Sequence, residues 1–113
     1  MKPEVPLVAL AATLAAALAV TLATPLHAQQ GKAFAHADAK AGKALADRDC
    51  VACHAQKFKP ASAIYTRDDR RVTTAPQLLA QVQRCNTELG AGYFPEDEEN
   101  VAAFLNDTYY KFK

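Results

Sequence analysis

The chain has 113 residues, of which 50% are hydrophobic, 8% aromatic and 22% charged, with a formal net charge of +1. That length holds one small domain at most, and the even balance of acidic and basic side chains lacks the basic stripe that nucleic-acid binding requires. Three Cys, one Met and no Trp complete the constraint: a domain this small leans on a disulfide, a metal or a cofactor to supplement its core.

The first 28 residues read as a targeting segment. Val5 to Ala23 carry no charge and consist mostly of Ala, Leu, Val and Thr, Lys2 precedes them, and Leu26-His27-Ala28 ends on a small residue suited to cleavage. This pattern predicts a secretory signal peptide over 1–28 and a functional domain over 29–113, outside the cytoplasm and expected in the periplasm. The apolar stretch is about long enough to span a bilayer, so membrane association is expected only if the segment stays uncleaved. Setting it aside removes Lys2 and Glu4 and leaves the rest near neutral.

From Gly31 to Asp49, Phe34, Ala37, Ala41, Ala44 and Leu45 recur at helical spacing, which predicts a first helix. Gly42 inside it lowers helix propensity by about 1 kcal/mol relative to Ala and points either to simple tolerance or to close approach of another helix. Directly after comes Cys50-Val51-Ala52-Cys53-His54, two thiols at i and i+3 followed by an imidazole, the attachment sequence of a c-type haem. One helical turn puts both thiols on one side, within reach of two vinyl groups, and brings His54 under the iron as proximal ligand. A thioredoxin-like redox pair needs a preceding strand, whereas the segment before Cys50 is Ala-rich and helical; a structural zinc site needs four ligands and a second ligand pair. Export agrees with the haem reading, since an unfolded chain can cross a membrane and receive its haem afterwards.

Periodicity fades between Gln56 and Thr74, where Pro60, Ser62 and Asp68-Asp69-Arg70-Arg71 predict an ordered loop along the haem edge. Thr74-Ala75-Pro76 predicts a capped helix start, and Gly90 a stop after Leu89. Leu78, Leu79, Val82 and Leu89 gather on one face of that helix, together with Cys85 and Asn86. Pro95 and the acidic run Glu96 to Glu99 load the start of a last helix, whose apolar set is Val101, Ala102, Phe104, Leu105 and Tyr109. No strand pattern or repeat occurs in the sequence.

On Cys50 to His54, the layout resembles a small monohaem c-type cytochrome of the class I type, over about residues 33 to 110. The resemblance implies an all-α, class I cytochrome c-like fold, three to four helices wrapped around one covalently attached haem c. Gly42, eight residues before Cys50, and a last helix ending in Ala103-Phe104-Leu105 are similar to that family's crossing terminal helices, with the glycine admitting an aromatic ring. The family's usual sixth iron ligand is a Met in the second half of the domain, and the only Met here is Met1. Cys85-Asn86-Thr87-Glu88-Leu89-Gly90 resembles the oxygen-binding SHP-type haem proteins, which implies Asn86 as distal ligand. In that group the Cys pairs with a second Cys shortly after, and here Gly92, Tyr93 and Phe94 stand in the matching region.

Read on its residues alone, Asn86 is either that ligand or a helix-end amide bonding a backbone carbonyl or a haem propionate. Cys85 is a packed free thiol, half of an intermolecular disulfide or a thiolate ligand. His36 is a further, weaker ligand candidate, Tyr65, Arg67, Arg70 and Arg71 are candidates for bonding propionates, and Glu96 to Glu99 for docking a basic partner. The expected function is single-electron transfer between redox partner proteins by an exported monomer that is not an enzyme. The alternative is binding of a small gaseous ligand, oxygen or nitric oxide, at a labile or open sixth site, as sensor or scavenger. A peroxidase-like enzyme would need a distal acid–base group that the sequence does not supply.

Overall fold

The computed structural model describes residues 32–113, and the expected signal peptide lies outside them. Among the described residues all regular structure is helical: α1 (Ala39–Asp49), α2 (Val51–Lys57), α3 (Ala63–Thr66), α4 (Ala75–Leu89) and α5 (Pro95–Leu105), continued by a π-helical turn, Asn106–Tyr110. No helix among them is long and apolar enough to cross a membrane. The all-α expectation holds, while the number of helices exceeds the three to four expected, because the Cys50–His54 segment forms a helix of its own and the predicted loop contains α3.

The first helix begins later than its apolar spacing predicts. The Asp38 side chain caps it by accepting from the backbone N–H groups of Lys40 and Ala41, so Phe34, at φ 61°, lies in a turn outside the helix. The N–H of Asp38 itself donates to Asn100 Oδ1 at 2.7 Å, tying this cap to α5. The start and stop of α4 fall where the sequence places them. Thr74 accepts from the N–H of Gln77, Pro76 occupies the first turn, and Gly90 ends the helix in the left-handed conformation at φ 60°, ψ 35°. Glu96, Asp97 and Glu98 occupy the first turn of α5, where negative charge suits the dipole, and Asp97 also accepts from the N–H of Phe94.

The core forms where α5 meets α1 and α4. Ala46, Leu78, Val82, Val101, Ala102 and Leu105 are buried together, and α5 is covered along most of its length. The crossing of α1 and α5 is the tightest point, since a Cβ built on Gly42 would stand 1.8 Å from the carbonyl oxygen of Asn100. The glycine therefore admits the backbone of α5. Leu89, expected on the apolar face of α4, is 50% exposed as the last residue of the helix.

Candidate functional site

Cys50 closes α1 and also caps α2, so the two helices follow each other with a single residue between them. Cys50 is half-buried and Cys53 exposed, and all three cysteines are free thiols. Burial pushes the Cys50 thiol up to about 11, with Cys85, Asp49 and Cys53 adding smaller contributions of the same sign, so Cys50 is a neutral thiol at physiological pH. His54, one residue after Cys53, is half-buried. Burial, helped by the nearby Lys57, lowers its pKa and favours the neutral imidazole, the form that binds iron.

The imidazole is held from one side. Tyr65 of α3 places its hydroxyl 2.8 Å from His54 Nδ1, with the two rings edge to face and their centroids 5.3 Å apart. Tyr65 packs in turn on Tyr109, centroids 5.0 Å apart, and on Tyr110, at 6.1 Å. A cavity of about 50 Å³ adjoins this group, lined by His54, Tyr65, Ala46, Phe104, Leu105 and Tyr109 among others. That volume admits one or two waters, and its lining is mainly apolar and aromatic.

The arginines and the acidic run divide between paired and unpaired groups. Arg67 is engaged in a two-pronged ion pair with Asp69, at 2.5 and 2.6 Å. Arg71 is exposed. Arg70 lies with its guanidinium carbon 5.6 Å from the Tyr110 ring centroid, and its buried Nε has no hydrogen-bond partner. Of the acidic run, Asp97 and Glu98 are used within the fold, whereas Glu96 and Glu99 are exposed. Tyr65, one of the candidates for a propionate, stands at the histidine.

Asn86 is half-buried and fully engaged elsewhere. Its Nδ2 donates to the Tyr93 carbonyl at 3.1 Å and to Glu98 Oε1 at 2.8 Å, and its Oδ1 accepts from the Tyr93 N–H at 3.0 Å. The amide thus clamps the Gly90–Tyr93 turn against the start of α5, and none of these partners belongs to the surroundings of His54. Of the two roles open to Asn86 in the sequence, this geometry supplies the backbone-bonding one. Cys85 lies beside Gln81, whose Nε2 donates to its sulfur at 3.3 Å. His36 is exposed in the turn before α1.

The sequence offered no advance sign of the His54–Tyr65 pair, since eleven residues separate the two and no periodicity links them. It also missed Asn106, whose amide clamps Phe112 by both its N–H and its carbonyl, at 2.8 and 3.0 Å, as Asn86 does Tyr93. A buried Asn can bond a peptide group in this two-sided way because its side chain is itself a primary amide.

The chemistry of the donor set fits a covalently attached haem. Two free thiols and a neutral imidazole lie within five residues at the start of one short helix, Cys50 at its N-cap and Cys53 and His54 inside it; aromatic side chains stand beside His54, and the buried Nε of Arg70 lacks a partner. It does not fit a bare ion, as no cluster of three or more His, Cys, Asp or Glu side chains able to hold one occurs among the described residues. Comparison with protein families, with curated proteins and with solved structures finds no match to this chain.

Proposed function

We propose that this chain is an exported, monomeric c-type cytochrome of the class I kind, which transfers single electrons between redox partner proteins in the periplasm. The observation that carries this reading is the placement of Cys53 and His54 on α2 with Cys50 at its N-cap, the His54 Nδ1 already held and Nε2 left for a metal. Bound haem c supplies a one-electron iron couple. Cys50 and Cys53 tether it through thioethers, His54 Nε2 provides the proximal nitrogen, and Arg70 Nε offers a donor to a propionate carboxylate. Exposed Glu96 and Glu99 present negative charge to a basic partner.

The test is production of the full chain in a bacterium able to attach haem. Haem that stays on the chain through denaturing electrophoresis, and is lost in Cys50→Ser/Cys53→Ser, supports the reading; a wild-type chain without haem overturns it.

A second reading, binding of oxygen or nitric oxide at the sixth iron site, is favoured by two observations: the only Met is Met1, and the Asn86 amide has three hydrogen bonds to give up before it can reach a metal. Carbon monoxide added to the ferrous protein separates the two. An immediate spectral shift marks an open or labile site, and an unchanged low-spin spectrum marks plain electron transfer.

A further inference from the structure

We infer that Tyr65 is a positioning residue for His54, selecting which imidazole nitrogen faces a metal and tuning how strongly that nitrogen donates. The inference rests on the haem reading above and adds to it a residue outside the attachment motif. Its basis is geometric. The Tyr65 hydroxyl stands 2.8 Å from Nδ1, the rings meet edge to face at 67°, and Tyr65 is braced from behind by Tyr109 and Tyr110.

A hydroxyl can both donate and accept, and this matters at the histidine. In the neutral imidazole with its proton on Nε2, Tyr65 donates O–H to Nδ1. Iron at Nε2 requires the other tautomer, in which Nδ1 carries the proton and donates to the Tyr65 oxygen. The same side chain serves both arrangements by rotating its hydroxyl, with no heavy atom displaced. Accepting from Nδ1–H gives the imidazole more anionic character, which strengthens its donation to iron and stabilises the ferric state.

The pair also spans two elements. His54 is on α2 and Tyr65 on α3, two consecutive helices that bury no residue of their own.

The experiment compares haem-loaded wild type with Tyr65→Phe, which keeps the ring and its packing and removes only the hydroxyl. Redox titration is expected to show the ferrous-to-ferric ratio at fixed applied potential rising about 10-fold in the variant, a positive shift of about 59 mV for one electron. Resonance Raman is expected to show the ferrous iron–histidine stretch, read in the five-coordinate or photolysed form, at lower frequency. A purely packing role moves neither, so equal potentials and equal stretching frequencies overturn the inference. If Tyr65→Phe does not load, 3-fluorotyrosine at position 65, whose oxygen is the weaker acceptor, replaces it; a smaller shift of the same sign supports the inference, and no shift overturns it. A wild-type chain that carries no haem defeats the underlying reading instead, so the two failures are distinguishable.

Discussion

The α1–α5 crossing and the α2–α3 segment differ in almost every physical respect, although one residue joins them. At the crossing, backbone meets backbone, and α5 buries Asn100, Val101, Ala102, Ala103 and Leu105. Burying one Val or Leu fully contributes about 1.5–3 kcal/mol, so this one helix accounts for much of what holds the domain together. The segment α2–α3 buries no residue at all, yet it carries Cys50 at its start and Cys53, His54 and Tyr65 along it. The candidate site residues therefore sit on a segment that buries none of its own side chains, apart from the helix that forms most of the core.

The most direct way to break this contrast is to force the crossing apart. Gly42→Ala puts a Cβ 1.8 Å from a backbone oxygen that cannot move without shifting α5. A loss of about 3 kcal/mol or more is expected, read from urea unfolding followed by far-ultraviolet circular dichroism. The matched change on exposed α2, Ala55→Ser, is expected to stay within about 0.5 kcal/mol. Comparable losses from the two variants would mean that the crossing is no more the scaffold than α2 is.

Asn86 tests on which side of the contrast a disputed residue falls. Asn86→Ala removes two hydrogen bonds to the Tyr93 backbone and one to Glu98, at an expected cost of about 2 kcal/mol, with covalent haem content unchanged. The measurement is the urea midpoint together with the ferrous spectrum. An unchanged midpoint with an altered spectrum would move Asn86 from the scaffold to the metal.

Legibility in the sequence follows the range of the interactions. The ends of α4 were readable because Thr74, Pro76 and Gly90 act on backbone groups within four residues. The grouping of Cys50, Cys53 and His54 was readable because residues so close in sequence stay together at the start of one helix. The start of α1 was misread because Ala37 and Phe34 continue the apolar spacing, whereas Asp38 stops the helix with help from Asn100, 62 residues away. Gly42 left simple tolerance and close approach both open; only the fold shows that the Asn100 carbonyl stands against it. The Tyr65–His54 bond depends on how α2 and α3 fold back on each other, and no local pattern encodes that.

Asp38 offers a smaller test on the scaffold side. Asp38→Ala removes the cap from α1 and is expected to cost about 1 kcal/mol, measured by the same unfolding curves. Because Asn100 still accepts from the backbone N–H at position 38, the crossing itself should persist, and a loss as large as that of Gly42→Ala would show that the cap and the crossing form one cooperative unit.

The smallest expected effect lies at the junction itself, where Asp49 ends α1 beside Cys50. Its carboxylate accepts from Arg48 and from the Tyr93 hydroxyl, which lower its pKa to about 2, Arg48 contributing most. In the unfolded chain an ordinary Asp titrates near 3.9, so on acidification the unfolded state takes up this proton first. The contribution of Asp49 to stability is thus complete above about pH 4 and is lost as the pH falls toward 2. Asp49→Asn is expected to flatten that part of the stability profile while leaving the slope near neutrality unchanged. An unaltered acid limb would mean that α1 holds the Tyr93 turn by packing alone, and that the link from scaffold to site carries no charge dependence.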